Sequence, residues 1–295
     1  MTRSLPFYIV DVFAEARYSG NPLAVFCEAS RLSAELMQRI ADEMHFSESA
    51  FILSEIGRGD EYEVRIFTPK SEVPFAGHPT LGTAHVLRNE RKATSRNRVV
   101  LRLKVGPVPV TFENNHLGWM EQNEPEFGEC LEKEIVAPML GLDPEEIDPR
   151  FPVEQVSTGL PHLVVPLKRL ESLKKIRVDR DRYFTLIQNA WAKPVLVFCP
   201  EPHRVGNDIS VRMFVDCFGI PEDPATGSGN GCLAAYLVKH RYWGKTDIDI
   251  RSEQGYEIGR PSLLLLRAAE EGGSIRVRVG GSSVTIARGE WDEPT

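Results

Sequence analysis

The sequence has few cysteines, no long apolar run and no cluster of basic residues, and each absence excludes a class of protein. Its five cysteines are widely spaced and form no C-x-x-C pair, which predicts neither a disulfide framework nor a zinc site. The longest apolar stretches, such as 194–199 and 262–266, are far shorter than the ~20 residues of a membrane-spanning helix. The first residues lack the apolar segment and cleavage site of a signal peptide. We therefore expect a cytoplasmic protein that does not enter a membrane.

The charge balance is acidic. The chain carries 42 acidic and 35 basic residues, for a net charge of −7, and no Lys/Arg run is interleaved with aromatic residues. Such a surface repels a phosphate backbone, so nucleic acid is not an expected partner. The 42% apolar and 26% charged residues are typical of ordinary folded domains, and 295 residues are enough for two of them.

Strand-like segments occur in both halves of the chain. Apolar and β-branched residues at 7–13 and 23–26 flank the turn signal Gly20-Asn21-Pro22, which predicts a hairpin. Ser33 precedes apolar residues at helical spacing over 34–44, which predicts an amphipathic helix with Ser33 as its N-cap. The chain lacks the regular strand–helix alternation and the G-x-G-x-x-G loop of nucleotide-binding folds. Strand-rich α+β architecture is therefore expected.

Two stretches of the sequence follow the same pattern and form an internal repeat. In the first stretch, a strand ending at Phe67 is followed by a loop of small residues, 72–82, and by a helix predicted over 83–90. In the second stretch, a strand ending at Phe214 is followed by the loop 221–231 and by a helix predicted over 232–239. Glycines at a helix start let an anion approach its unpaired N–H groups. The duplication predicts two helix starts that hold one carboxylate or enolate between two halves, although such loops are also ordinary turns.

Titratable residues occur in or near both loops. Glu48 follows the predicted helix and precedes the next strand; it is either a solvated surface charge or a proton carrier sheltered by Phe46 and Phe51. His78 is either a residue at a helix start, ahead of Pro79, or a neutral donor or second proton carrier. The same residues therefore support a structural and a chemical interpretation.

The second loop offers similar alternatives. Asp223 either forms an Asx-type turn or orients His78 or the substrate. Ser228, beside Gly227, either caps the helix or donates its hydroxyl and backbone N–H to a carboxylate. Neither a G-x-S-x-G elbow nor an H-E-x-x-H pattern occurs, so neither a serine hydrolase nor a catalytic metal is expected.

Several short motifs follow one another in a fixed order along most of the chain. They are Asp11-Val-Phe13 with Gly20-Asn-Pro22, Phe46-Ser-Glu48-Ser-Ala-Phe51, Arg65-Ile-Phe67-Thr-Pro69, 72–82, Ser157-Thr-Gly-Leu-Pro161, Glu222-Asp-Pro-Ala-Thr-Gly-Ser228 and Gln254-Gly255. This ordered set resembles the PhzF-like isomerases of phenazine biosynthesis, which share the diaminopimelate epimerase fold. The resemblance implies two pseudo-symmetric domains, each a highly twisted, barrel-like β-sheet around a central α-helix. The expected domains are 1–115, joined by the last strand at about 282–295, and 116–295.

The resemblance also implies an activity, with phenazine synthesis as one context. A cofactor-independent isomerase of this kind moves a proton on a small anionic carboxylate substrate in the cleft between the domains, and a homodimer is expected. Its implied catalytic residues are Glu48, as the proton carrier, with His78 and Asp223. The implied substrate-binding residues are Gly77, Gly227 and Ser228.

Two other functions stay open. Racemases of similar fold use one cysteine from each domain, but here the loops carry His78 and Asp223, and Cys232 has no cysteine partner in the first copy. A thiol-dependent racemase is therefore an alternative that has lost part of its machinery. A non-catalytic protein that binds small acids is the other, and it would have no use for a proton carrier.

Overall fold

The chain folds into two compact units. The computed structural model describes residues 4–56, 60–91, 97–113 and 117–292. One unit comprises Met1–Glu121 with Gly280–Thr295, and the other comprises Gln122–Val279. The domain boundary predicted near residue 115 falls at 114–116, outside the described residues.

In the described residues of its N-terminal segment, the first unit contains eight strands and two α-helices, and it also includes the end of a long final strand. In chain order they are β1 (Ser4–Val12), β2 (Asn21–Phe26), α1 (Ala34–Met44), β3 (Glu48–Ile56), β4 (Glu61–Phe67), β5 (Glu72–Val73), α2 (Gly77–His85), β6 (Arg98–Leu103), β7 (Gly106–Glu113) and β8 (Leu117–Glu121). A π-helical turn, Val86–Glu90, extends α2.

The second unit contains the remaining elements. They are β9 (Glu126–Leu131), α3 (Lys133–Met139), β10 (Val153–Ser157), β11 (Pro161–Pro166), α4 (Leu170–Lys175), α5 (Arg180–Ile187), β12 (Val195–Cys199), β13 (Ile209–Val215), β14 (Ile220–Glu222), α6 (Gly227–Lys239), β15 (Asp247–Gln254), β16 (Ser262–Glu271) and β17 (Ser274–Asp292). From Gly280 onward, β17 belongs to the first unit.

The strands of the first unit close into a barrel around α2. Neighbouring pairs run β1–β2, β2–β3, β3–β4, β4–β6, β6–β7 and β7–β8, and β17 pairs with both β8 and β1. Every residue of α2 is buried, and the helix packs against β1, β2, β3, β6, β7 and β8. A closed ring leaves no free strand edge and encloses the helix.

The second unit repeats this plan. Its strands pair in the order β9, β10, β11, β12, β13, β15, β16, β17, and the buried helix α6 packs against β10, β11, β15 and β16. Parallel pairs lie at equivalent places, β2–β3 with β11–β12 and β4–β6 with β13–β15. The predicted α+β class, with a barrel-like sheet around a central helix, is confirmed.

Both central helices begin earlier than the sequence predicts, at Gly77 and Gly227 instead of Thr83 and Cys232. Each glycine lowers the stability of a helix by about 1 kcal/mol relative to alanine. These two helices, however, lie so close to the surrounding strands that larger residues do not fit. A Cβ on Gly82 would lie 2.6 Å from Leu23 Cδ2 and 2.7 Å from Val12 Cγ2. Burial against the strands outweighs the low helix propensity.

The local predictions near the N-terminus are confirmed. β1 and β2 form the antiparallel hairpin. The side chain of Ser33 accepts a hydrogen bond from the Leu36 N–H at 3.2 Å and caps α1. In the described part of the chain, no helix combines the length and the apolar composition needed to cross a lipid bilayer.

Candidate active site

A bidentate ion pair fixes the turn that leads to α2. Arg65, in β4, donates from Nε to Glu72 Oε1 at 2.8 Å and from Nη2 to Glu72 Oε2 at 2.7 Å. Lys104 Nζ donates to the same carboxylate at 2.6 Å. Because two parallel hydrogen bonds fix both distance and angle, the pair holds β5 against β4 just before the helix begins.

The second copy has the same pair. Arg212, in β13, donates from Nε and Nη2 to the two carboxylate oxygens of Glu222 at 3.0 and 2.6 Å. Both side chains are less than a tenth exposed, and Arg212 Nη1 also donates to the Leu173 carbonyl at 3.0 Å. We refer to these two pairs, Arg65–Glu72 and Arg212–Glu222, as the Arg–Glu clasps; each precedes the first turn of a central helix.

The first turn of α2 carries two of the predicted site residues, Gly77 and His78. Ala76 occupies the N-cap position and provides no side-chain cap, while Thr80 donates from its N–H and its hydroxyl back to the Ala76 carbonyl. The helix start therefore presents backbone N–H groups and the positive end of the helix dipole beside a buried imidazole.

Glu48 and His78 lie together in the first unit. Glu48 is the first residue of β3 rather than a loop residue, and its side chain is 20% exposed. Its Oε2 lies 3.5 Å from Nε2 of His78, whose side chain is 5% exposed. Phe46 and Phe51, the predicted shelter of Glu48, belong to the apolar cluster that packs against α1. Glu48 is thus a largely sheltered carboxylate in contact with an imidazole.

The imidazole in this pair is neutral at physiological pH. Burial lowers the pKa of His78 from 6.5 to about 3, because a charged ring loses its hydration in the interior. The contact is therefore one between a carboxyl group and a neutral ring. A neutral imidazole still carries one N–H and serves as a hydrogen-bond donor.

Asp223, Gly227 and Ser228 lie together in the second unit. Asp223 is buried, and its Oδ2 accepts a hydrogen bond from the Thr226 hydroxyl at 2.5 Å. Thr226 is the N-cap residue of α6, but its hydroxyl does not cap the helix. Gly227 and the buried Ser228 form the first helical turn, so this helix also starts without a side-chain cap.

Gln254 completes this arrangement, and the sequence singled it out only as part of a motif. Its side-chain amide contacts Asp223, Thr226 and Asn230, which come from the loop and the first turn of α6. The parallel pairing of β13 with β15 brings the end of β15 next to this loop. No local pattern in the sequence encodes that contact.

A family model described as phenazine biosynthesis-like protein, PhzC-PhzF, matches residues 10–289. The chain belongs to the PhzF family. The trans-2,3-dihydro-3-hydroxyanthranilate isomerase of Pseudomonas chlororaphis is 35% identical to it, over 96% of this chain and 98% of the relative. An uncharacterized isomerase of Mesorhizobium japonicum is 33% identical, over 96% and 97% of the two chains. This PhzF-family chain is accordingly an isomerase of small molecules.

Solved structures agree with the fold. A PhzF-family phenazine biosynthesis protein of Bacillus anthracis has a TM-score of 0.90 and 25% identity, over 98% of this chain and 99% of that chain. A probable proline racemase of Agrobacterium radiobacter has a TM-score of 0.63 at 11% identity, over 97% and 92% of the two chains. At that identity the second likeness shows a shared fold alone.

The chemistry of Cys232 differs from that of a racemase thiolate. Cys232 is buried in α6, with Sγ 3.5 Å from His162 Nδ1 and 3.6 Å from the Leu160 carbonyl. Burial raises the pKa of the thiol to about 12 and lowers the pKa of His162 to about 4. In this PhzF-family chain the thiol is therefore protonated, and the neighbouring ring is neutral, so neither supplies the charge that a thiolate base needs.

The predicted site residues fall into two groups. Gly77, His78 and Glu48 come together in the first unit, and Asp223, Gly227 and Ser228 come together in the second. The predicted action of Asp223 on His78 links different units and stays a prediction. Among the residues that the structure describes, no group of three or more His, Cys, Asp or Glu side chains is arranged to hold a metal ion.

Proposed function

We propose that this isomerase moves a proton between two carbons of a small carboxylate substrate, with Glu48 as the acid and base. The observation that carries the proposal is the 3.5 Å contact between the Glu48 carboxyl group and the buried, neutral ring of His78 at an uncapped helix start. A sheltered carboxyl group close to fixed N–H donors suits proton transfer to and from carbon. The participation of both units in one cleft stays a prediction.

The reaction needs one proton carrier and a site for negative charge. The Glu48 carboxylate takes a proton from a carbon next to a conjugated system, and the electron pair of that C–H bond passes into the conjugated system. The protonated Glu48, whose side chain is 20% exposed, exchanges its proton with solvent and then protonates another carbon, where the electron pair forms the new C–H bond. Substrate and product have the same composition, so nothing is oxidised or reduced.

His78 serves in this scheme as a neutral hydrogen-bond donor. With a pKa of about 3, the ring carries no positive charge at neutral pH, so it is unsuited to act as a cationic acid there. Its N–H, together with the first-turn N–H groups of α2, would stabilise negative charge as it develops on the substrate. This supports the donor role over the role of second proton carrier.

Deuterium incorporation tests the proposal directly. The probe is trans-2,3-dihydro-3-hydroxyanthranilate, the compound that names the Pseudomonas relatives. The wild-type protein should isomerise it in D2O with incorporation of solvent deuterium, whereas Glu48→Gln should lose about 100-fold or more of the rate, as general acid–base catalysis is worth 10²–10⁴-fold.

A matched control separates chemistry from stability. Glu61 is the first residue of β4, as Glu48 is of β3, and its 28% exposed side chain pairs with Arg102. Glu61→Gln should leave the rate within about twofold of wild type, since an exposed ion pair is worth little. If wild type neither isomerises nor exchanges a proton on any ligand that it demonstrably binds, the protein is a binder of small acids instead.

A further inference from the structure

Gln254 uses every hydrogen-bonding group of its side-chain amide on the loop before α6. It is 1% exposed. Its Nε2 donates to the Asp223 carbonyl at 2.8 Å and to the Thr226 hydroxyl at 3.1 Å. Its Oε1 accepts from the Thr226 N–H at 3.2 Å and from Asn230 Nδ2 at 2.8 Å. Two donors and two acceptor sites are all that a carboxamide has.

The backbone determines which way this amide faces. The Thr226 N–H is an obligatory donor and the Asp223 carbonyl is an obligatory acceptor. Oε1 of Gln254 must therefore face Thr226, and Nε2 must face the Asp223 carbonyl, as the structure has them. These two backbone groups therefore place Nε2 of Gln254, which is a donor, next to the Thr226 hydroxyl.

A hydroxyl that accepts a hydrogen bond from an amide directs its own proton elsewhere. The Thr226 Oγ1 lies 2.5 Å from Asp223 Oδ2, so its proton points to that carboxylate oxygen. The hydrogen bonds therefore run in one direction: Gln254 donates to the Thr226 hydroxyl, and that hydroxyl donates to Asp223. The carboxylate of Asp223 is thereby held in place by a hydrogen bond from a fixed hydroxyl.

The neighbouring backbone leaves the loop little room to move. Gly255 has φ +78°, and a Cβ on it would lie 2.6 Å from the Pro224 carbonyl oxygen. Ser262 Oγ donates to the same carbonyl at 2.9 Å. The loop from Asp223 to Thr226 thus packs closely against Gly255, just after β15, and against Ser262 of β16.

The first copy of the repeat has no equivalent of this hydroxyl. Ala76 occupies the N-cap position of α2, where Thr226 stands in α6. The two copies share the Arg–Glu clasps but not this chain of donors. The arrangement therefore belongs to the half that carries Asp223 and is not a general requirement of the fold.

We propose that Gln254 is a positioning residue of the isomerase, which directs the Thr226 hydroxyl proton onto Asp223 and so fixes that carboxylate for its part in the reaction. The inference rests on the proposed function and adds one element to it, namely that Asp223 takes part in the same reaction on the substrate.

The direct test replaces Gln254 by Glu, which has the same shape and, as a carboxylate, no donor. The Thr226 hydroxyl then has a carboxylate on either side, and its proton is no longer confined to Asp223. We expect kcat to fall by about 10- to 100-fold, the effect of losing a hydrogen bond to a charged group, with a smaller change in KM. Gln254→Met is a neutral second variant, and kcat should fall by a similar factor.

A double-mutant cycle tests whether Gln254 acts through the hydroxyl. Thr226→Val removes the hydroxyl at nearly constant shape, and Thr226→Ser keeps it. If the relay operates, Thr226→Ser is close to wild type, and adding Gln254→Glu to Thr226→Val lowers kcat little further. Gln155→Glu is the matched control: this buried amide in the same unit accepts from the Ala192 N–H at 2.8 Å, away from α6. It should leave both kcat and KM unchanged.

The outcomes separate the two proposals. If Gln254→Glu and Gln254→Met match Gln155→Glu in kcat and KM, or the effects in the cycle add, the inference is overturned while the role of Glu48 stands. If Glu48→Gln keeps the wild-type rate, the proposed function itself is overturned and the inference falls with it. A low kcat in both Gln254 variants, with a non-additive cycle and inactive Glu48→Gln, supports both.

Discussion

The neutral ring of His78 makes a quantitative prediction about stability in acid. The perturbation is a change of pH from 7.5 to 5, applied to the wild-type protein and to His78→Gln. In the unfolded chain the imidazole titrates near 6.5, whereas in the folded protein burial lowers its pKa to about 3. Between these two values the unfolded state binds a proton that the folded state excludes.

The sign and the size follow from that difference. Because the folded pKa is depressed, the stabilising contribution is complete above pH 6.5 and is lost as the pH falls toward 3. Each pH unit below 6.5 costs about 1.4 kcal/mol, so the histidine alone lowers the free energy of unfolding by about 2 kcal/mol at pH 5.

The assay is urea unfolding at several pH values between 7.5 and 5. His78→Gln cannot titrate, so its free energy of unfolding should fall by about 2 kcal/mol less than that of wild type over this range. Ile66→Val, a core substitution in the same unit, should cost about 0.5–1.5 kcal/mol at every pH without changing the pH dependence.

Equal pH dependence in wild type and His78→Gln would refute the reasoning. It would mean that the folded protein takes up the proton near neutrality, so that His78 is not held as a neutral donor. The ring would then return as a candidate second proton carrier beside Glu48.

Four further substitutions test the Arg–Glu clasps, Cys232 and the packing of α2. Arg212→Lys should lower the free energy of unfolding by about 2 kcal/mol in urea titrations, because lysine cannot form the two parallel hydrogen bonds of the guanidinium group. Arg65→Lys should lower it by less, since the Arg65–Glu72 clasp is more exposed. Equal losses in the two variants would contradict this. Cys232→Ala should keep kcat/KM within about threefold, whereas a 100-fold loss in a folded variant would favour thiol chemistry. Gly82→Ala should lower the free energy of unfolding by about 1–3 kcal/mol through overpacking, and an unchanged urea midpoint would show that the helix shifts freely.

The sequence predicts well what depends on neighbouring residues. The hairpin of β1 and β2 and the capped helix α1 follow from apolar spacing and one serine, and both are present. The ordered motifs likewise predict the family, which the comparisons confirm. In each case the information lies within a short stretch of chain or in the order of short stretches.

The helix starts were harder to predict because glycine has two opposite uses. Glycine-rich segments are read as loops, yet at Gly82 and Gly229 the missing side chain lets a helix approach the surrounding strands. As a result His78 and Ser228 lie within first helical turns instead of in the loops before them. Only the tertiary packing reveals which use applies.

Contacts between distant parts of the chain could not be predicted at all. The Gln254 amide reaches Asp223 because β15 runs parallel to β13, and nothing in the local sequence of either segment indicates that neighbour. The sequence therefore singled out the candidate site residues, but not the contact that holds Asp223 and Thr226 in position.

The most direct test of the central claim is deuterium incorporation from D2O into trans-2,3-dihydro-3-hydroxyanthranilate, followed by mass spectrometry for wild type, Glu48→Gln and Glu61→Gln. The account predicts rapid incorporation with wild type and Glu61→Gln, and at least about 100-fold slower incorporation with folded Glu48→Gln. Incorporation by Glu48→Gln at the wild-type rate would contradict it, because some other group would then be moving the proton.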